Sequence, residues 1–424
     1  MTNQREDDFE KRMGMVTTRL IFYYHRINTY SFNALAGAID TVVCSSELAG
    51  LQIELALTAD DVLREASVGL ESCSRVIVAL SIMSCQFEDA ARLTQRLREK
   101  QNACHCASGR LIILAGGPHV TAHPEDVLRA GVDIVFRGEA ERSFPRVLRD
   151  LLKNEAGEEC PAIQSADVPT DLNDFCSFSP SRGMFGPIEI TRGCAFACRF
   201  CQTSQIFGVR LRHRNIDKVI EHTKMLHAIN RKVVRLLSPN AFSYGSEDGR
   251  KLNLLAIREL LSGLREAVPD GRILFAHFPS EARPEHVTPD TLALLKEFAD
   301  NDEIVIGAQS GSARMLEHCG RSHTVEDILT AVRLARRHGY KIIVDFMFGL
   351  PGETDVDRHE SLAVMKEVVA LGARIHPHIF APLPQTAFSR EPPGEIAPFF
   401  LNAFEAFRRR RAIYENAPRS AEQC

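Results

Sequence analysis

Strand-like and helix-like stretches alternate along most of this chain, and no other feature narrows its possible folds as much. In the first part, residues 19–24, 52–57, 75–82, 110–115 and 133–137 are short runs rich in β-branched, aromatic and other apolar residues. Between them, 31–43, 60–66, 87–100 and 124–130 carry helical spacing, and Gly131 ends the last of these. The run Arg75-Val-Ile-Val-Ala-Leu-Ser-Ile82 is almost continuously apolar, as expected of a parallel strand covered on both faces. The alternation predicts an α/β, doubly wound, Rossmann-like domain over residues 1–150. Ligands of such sheets sit beyond the carboxyl ends of the strands. Ser81, Ser84 and Gln86, then Gly116 and Gly117, then Gly138 and Glu139 fall at those ends.

The alternation resumes further on. Residues 188–190, 233–238, 273–277, 303–307, 341–347 and 374–379 read as strands, with a helix over 216–229. Thr288 with Pro289, and Thr324 with Asp327 three residues later, mark two more helix starts. These repeats predict a partial (β/α)6 TIM-like barrel over 186–385, with its chemistry at the carboxyl ends of the strands. Between the two domains, 151–185 is rich in turn formers and reads as a linker. Residues 386–424 read as a C-terminal helical tail. Its run Arg408–Arg411 either complements a helix dipole or marks a nucleic-acid or membrane contact.

The barrel opens on Gly-Cys-Ala-Phe-Ala-Cys-Arg-Phe-Cys, which sets Cys194, Cys198 and Cys201 in the spacing C-x3-C-x2-C. Three thiolates on one tight loop can hold three irons of a cubane [4Fe–4S] cluster and leave the fourth without a protein ligand. A structural zinc site is the alternative, but it needs four ligands, commonly in two pairs, and no second pair follows at a suitable distance. Phe196 and Phe200 make the loop apolar. A net charge of −4 argues against a protein built mainly to hold nucleic-acid phosphates. No apolar run reaches the ~18–20 residues of a membrane span, so no transmembrane segment is expected. The charged start lacks a signal-peptide core, which with twelve cysteines suggests a cytoplasmic, reducing setting in which most other cysteines are small buried residues.

The cysteine stretch resembles that of the radical S-adenosylmethionine (SAM) superfamily, in which SAM chelates the open iron through its amino and carboxylate groups. Gly116-Gly-Pro-His119 and Arg137-Gly-Glu-Ala-Glu141 resemble the cobalamin-binding domain that precedes many radical SAM domains. Gln309-Ser-Gly-Ser312 with Arg321 and His323 resembles the methylthiotransferase-like group of the same superfamily. The resemblance implies SAM contacts at Ser238 and Asn240, although this chain lacks the family's Gly-Gly-Glu-like wording there and the segment also reads as a turn. It further implies Glu281 for the ribose hydroxyls, Arg283 for the SAM carboxylate, and contacts from Gln309 and Ser310. A solvated ion pair is the plainer reading of Glu281 and Arg283. Gly349 and Gly352 would let the backbone approach the adenine, covered by Phe348 or Leu350, and His376 and His378 would face the substrate. Cys319 reads as a buried helix-end thiol.

In the first domain, Ser81, Ser84, Gln86, Gly116, Gly117, Gly138 and Glu139 would hold cobalamin. The D-x-H-x-x-G motif that supplies a histidine to cobalt is absent, so cobalamin would bind without that ligand, and His119 and His123 read as loop residues at the corrin edge. A ligand-free scaffolding domain is the alternative. The implied function is a cobalamin-dependent C-methyltransferase that uses one SAM to methylate cobalamin and another to generate a 5′-deoxyadenosyl radical. Its substrate is unidentified, and a reductase or flavodoxin-type donor would supply electrons. A radical SAM enzyme of ring formation, oxidation or methylthiolation is the alternative, and a non-catalytic Fe–S/cobalamin sensor a further one. No nucleic-acid partner is expected, because the stretch after Pro384 is short for an added RNA-binding domain.

Overall fold

The computed structural model describes residues 18–43, 50–103, 110–153, 161–166 and 168–414. The charged start, most of the 153–159 run and Cys44, Cys104, Cys106, Cys160 and Cys424 therefore lie outside the described residues. Two compact units emerge. The first takes the chain up to 170 together with 174–186, and the second takes 171–173 and everything from 187 onward.

The first unit runs β1 (Thr18–Tyr23), α1 (Thr29–Val42), β2 (Leu51–Ala56), α2 (Ala59–Ser72), β3 (Arg75–Ser81), α3 (Phe87–Ala103) and β4 (Leu111–Gly116). It continues through α4 (Pro118–Ala122), α5 (Pro124–Arg129), β5 (Ile134–Arg137), α6 (Ser143–Leu152) and β6 (Ile163–Ser165). The strands form one six-stranded parallel sheet in the order β2-β1-β3-β4-β5-β6. Because side chains alternate across a strand, Leu20 and Phe22 point to one face and Ile21 to the other. Phe22 stacks on Phe32 of α1 at 4.8 Å and packs near Phe144 of α6. Ile21, Val76 and Val78 join Val62, Ala66, Leu93 and Leu97 of α2 and α3 on the opposite face. Burial on both faces explains the unbroken apolar run of β3, and each such side chain contributes roughly 1.5–3 kcal/mol. Thr58 caps α2 in a reciprocal box with Asp61.

One correction concerns β6. It lies inside the stretch read as a linker, yet it pairs in parallel with β5, Val135 opposite Ile163. Three residues with a single buried side chain carry no readable period, so only the sheet edge reveals the strand.

The second unit runs β7 (Ile188–Glu189), β8 (Thr191–Arg192), α7 (Thr203–Phe207), β9 (Arg212–His213), α8 (Ile216–Ala228), β10 (Val233–Leu237), α9 (Leu254–Ala267), β11 (Arg272–Leu274) and α10 (Pro289–Phe298). It ends with β12 (Glu303–Gln309), α11 (Ala313–His318), α12 (Val325–Arg337), β13 (Lys341–Phe348), α13 (Asp355–Ala370), β14 (Arg374–Ile379) and α14 (Pro398–Arg409). Two parallel sheets result, β11-β10-β7 and β12-β13-β14, with β8 and β9 as an antiparallel pair. The sheets meet where Ala282 bridges Ile306, its N–H donating to Val305 O at 2.8 Å and its O accepting from Gly307 N at 3.0 Å. The third strand is shorter than expected because Ala276 adopts φ 53° and the chain leaves the sheet, returning at Ala282.

The C-terminal helix is a packed element and not an appended tail. Phe400 and Phe404 of α14 meet Phe348 edge-on at 4.9 and 5.2 Å. Beyond it, Ala412 and Tyr414 pair with Ile375 of β14. Arg408–Arg411 are exposed at the end of α14, where cations complement the helix dipole. Among the described residues, no helix is long and apolar enough to cross a membrane.

Candidate functional site

The cysteine loop leaves β8 through Gly193, whose φ of 90° is left-handed and whose absent Cβ would otherwise collide with the Arg210 carbonyl. Cys194 N–H donates to Gly208 O at 3.1 Å and Cys201 N–H to Cys198 O at 2.9 Å, so the loop backbone is fixed. None of the three cysteines forms a disulfide, and Cys198 is buried. Burial pushes the Cys194 thiol up, and Cys198 and Cys201 beside it add to the rise. Cys319 closes α11 with its thiol buried and pushed up to about 12 by desolvation, while its carbonyl accepts from Arg199 N–H at 3.0 Å. It is a buried helix-end thiol, as the sequence leads one to expect.

Two arginines reach the cysteine loop, Arg283 from the loop after β11 and Arg321 from the loop after α11. Arg321 Nη1 lies 3.6 Å from Cys198 Sγ, and its Nη2 donates to Gly307 O at 2.6 Å. Arg283 lies flat over the Phe196 ring, 3.5 Å from its centre, and donates through Nε to Glu285 Oε1 at 2.6 Å. Burial, then the charge of Arg321, lowers the Arg283 pKa. Among the described residues, Arg283 Nη2 and Arg321 Nε are buried without a hydrogen-bond partner. Unmade donors of that kind are costly, and two guanidiniums beside a thiol call for an anion. His323 is buried with Nε2 on Ala308 O, and desolvation with the two arginines drives its pKa down to about 2, so it stays neutral.

These arginines line a cavity of about 230 Å³ together with Pro239, Glu281, Gln309, Asp345, Met347 and His378. Gln309 enters it by a local irregularity: its φ is 71° and the β12–β13 register shifts between Gly307 and Gln309, which re-aims the side chain. Burial, then the nearby Asp345, raises the Glu281 carboxyl pKa. Asp345 feels the same burial, but hydrogen bonds from His376 and His378 outweigh it and lower its pKa.

Glu281, Arg283 and Gln309 are thus gathered on one wall, as their strand-end positions lead one to expect. The other residues carried by the resemblance sit elsewhere. Ser238 and Asn240 are buried and used internally: Ser238 Oγ donates to Asn240 O, and Asn240 Oδ1 accepts from Arg283 N–H while its amide meets His286 Nδ1 at 2.8 Å. Ser310 is likewise buried, 3.2 Å from Ser361 Oγ and accepting from Ser312 N–H. Gly349 faces Gly394 and Glu395, and Gly352 O accepts from Arg314. Phe348 belongs to the α14 cluster and does not face the cavity. Arg321, which the resemblance had placed near the same rim, and Asp345 of β13 complete the wall.

In the first unit, the strand order reverses between the paired strands β1 and β3, the switch point beyond which sheets of this kind hold ligands. Asn28 Nδ2 donates to Ser81 O at 2.6 Å and to Gln86 Oε1 at 3.3 Å, and Gln86 also accepts from Met83 N–H. Ser84 Oγ lies 3.3 Å from His119 Nδ1, and the imidazole stacks on Phe87 at 4.4 Å. Gly117 adopts φ 106°, and a Cβ there would press on the Ile82 backbone. Gly138 is pinned by its N–H on Thr121 Oγ1 at 3.0 Å. Glu139 is buried and accepts from Thr170 N–H at 3.0 Å, so its carboxylate is used within the unit. Asn28 went unread because a lone polar residue after a strand has no sequence signature.

Comparisons with known proteins agree with both halves. The model of the Radical SAM superfamily matches residues 188–365, and that of the B12 binding domain matches residues 26–148. An uncharacterized methyltransferase of Pyrococcus horikoshii is 27% identical over 280 residues, 60% of this chain and 57% of that protein. The tRNA-2-methylthio-N(6)-dimethylallyladenosine synthase of Parabacteroides distasonis is 32% identical over 220 residues, 50% of this chain and 46% of the synthase. The chain therefore spans about half the length of these relatives. Among solved structures, the radical SAM methyltransferase TsrM from Kitasatospora setae, with cobalamin and a [4Fe–4S] cluster bound, superposes with a TM-score of 0.64 at 16% identity, covering 89% of this chain and 78% of that one. That likeness supports the α/β architecture of the two domains.

Proposed function

We propose that this chain, a radical SAM protein with a B12-binding domain, is a cobalamin-dependent methyltransferase that cleaves SAM reductively. When bound, a [4Fe–4S] cluster supplies the electron for that cleavage and cobalamin carries the methyl group. The observation that carries the reading is the pair of unmade guanidinium donors on Arg283 and Arg321, buried beside Cys198 in the cavity. The residues fit the implied groups. Cys194, Cys198 and Cys201 offer three sulfurs on one loop, and the arginines offer charge to thiolates and to the SAM carboxylate.

In this reading Arg283, held flat by Phe196 and steadied by Glu285, orients the carboxylate of SAM. Arg321 neutralises the Cys198 thiolate and keeps its position through Gly307. Glu281 accepts from the ribose hydroxyls, and Gln309 reaches the same ligand from β12. In the first unit, Asn28 fixes the Ser81 and Gln86 turn, and Gly117 lets its loop pack against the Ile82 backbone beside that turn. The methyl acceptor and the electron donor, expected to be a flavodoxin-type reductase, are left to experiment.

Anaerobic reconstitution with iron, sulfide and hydroxocobalamin, followed by desalting and metal analysis, tests it. About four irons with near-stoichiometric cobalt, and 5′-deoxyadenosine on reduction with SAM, support the reading. Four irons without retained cobalt would sink methyl transfer through cobalamin and leave a radical SAM enzyme. Methylthiolation is the second reading, favoured by the similarity to the tRNA-modifying synthase. A product that gains sulfur along with methyl would select it.

A further inference from the structure

We infer that Asp345, His376 and His378 form a binding site for one divalent transition-metal ion of the zinc or iron(II) class, on the cavity wall and separate from the cysteine loop. β13 and β14 pair so that Asp345 stands directly opposite His376. His376 and His378 are two residues apart on one strand, so both imidazoles project from the same face. Their rings lie 4.2 Å apart. His376 Nδ1 is 2.9 Å and His378 Nε2 3.4 Å from the same oxygen, Asp345 Oδ1. One ligand atom from each of the three falls within 4.8 Å of the others, and Asp345 is buried while the histidines are partly so.

Two imidazoles and one carboxylate are the donor set of open zinc and non-haem iron(II) sites, in which the remaining positions face a ligand. Here those positions open onto the cavity, because Asp345 and His378 both line it. The far side of His376 is closed by the Tyr414 ring at 5.1 Å, itself covered by the Arg374 guanidinium, so the imidazole is held in place by packing. The site is thus built by three segments, β13, β14 and the strand-like pairing of Tyr414 with Ile375. A metal there would lie across the cavity from the cysteine loop, positioned to hold or polarise an oxygen-bearing substrate.

The test uses the holoprotein, reconstituted with its cluster, exposed to zinc ions and passed over a chelating resin. Wild type is expected to retain about one zinc per chain above its cluster iron, with an X-ray absorption edge showing nitrogen and oxygen neighbours near ~2.0 Å. Asp345→Asn and His378→Ala are expected to lower zinc retention about tenfold or more while iron content holds. His378 is half exposed, so its variant removes a ligand without emptying a core. No zinc retained by wild type, equal retention by both variants, or sulfur neighbours near ~2.3 Å, meaning zinc on the cysteines, would each overturn the inference. Zinc content is independent of cobalt content and methyl transfer, so the failure of one reading leaves the other standing.

Discussion

The two regions proposed to bind ligands are built from the same kind of strand-end loops, yet they answer to opposite physics. The β1/β3 switch-point end is made largely of uncharged groups, Asn28 bonded to Ser81 and Gln86 and Ser84 to His119, whose Nε2 is buried without a partner, with Gly117 packed on the Ile82 backbone. The cavity beyond β11–β14 is charged, with Arg283 and Arg321 against Cys198 and with Glu281 and Asp345 on the same wall. A largely uncharged surface recognises mainly by shape, and its binding depends on space. A buried, unsatisfied charged surface recognises by electrostatics, and its binding depends on particular atoms. The comparison teaches that a ligand can be lost from one end by adding a methyl group and from the other by removing a charge.

Cys198→Ala should break the contrast most. Iron retained after reconstitution is expected to fall about tenfold and 5′-deoxyadenosine formation about a thousandfold, with cobalt content unchanged, measured by metal analysis and product chromatography. Cobalt lost together with iron would mean that the two ends are not independent. Gly117→Val attacks the other end through sterics alone. Its Cβ would press on Ile82 in a left-handed backbone, so cobalamin retention should drop about tenfold while iron stays near wild type. A variant that keeps its cobalt would place the cofactor elsewhere.

Arg321→Met sharpens the electrostatic side. Losing a charged hydrogen-bond partner costs roughly 1.5–3 kcal/mol, so SAM affinity measured by equilibrium dialysis should weaken about 10–100-fold. Unchanged affinity would remove Arg321 from the SAM site. The smallest effect concerns the support behind the wall. Asp357 is buried, accepts from Ser312 Oγ at 2.7 Å and from Arg314, and caps α13 through Thr354. Burial would raise its pKa, but Arg314 and the Thr354 and Ser312 hydroxyls prevail and hold it well below the carboxylate range. A depressed folded pKa stabilises the fold above the unfolded carboxylate value near ~4, and that contribution fades as pH falls towards the folded pKa. Asp357→Asn should therefore cost about 1–2 kcal/mol in urea unfolding at pH 7, and the gap from wild type should close below about pH 4. A gap independent of pH would show that shape and not charge makes Asp357 useful.

Legibility followed distance along the chain. The C-x3-C-x2-C loop, the strands and the caps at Thr288 and Thr324 are local, because thiol spacing, side-chain period and a hydroxyl three residues from an N–H are set within one or two turns. The alternation of strands and helices was enough for two α/β domains. Ser238, Asn240, Ser310 and Gly349 had the right positions after their strands, yet tertiary packing engaged Ser238 with Asn240, Asn240 with Arg283 and Ser310 with Ser361, and set Gly349 close against the 394–395 segment. Strand β6, the short β11 and the packing of Phe348 under α14 were equally beyond reach, since each depends on a partner many residues away. The sequence by itself determined the architecture, the C-x3-C-x2-C cysteine motif and the absence of the D-x-H-x-x-G motif, because these are matters of residue type and spacing. Only the tertiary structure decided which polar groups face the cavity and set Asp345 against His376 and His378, because pairing register, and not proximity in sequence, brings side chains from separate strands onto one face.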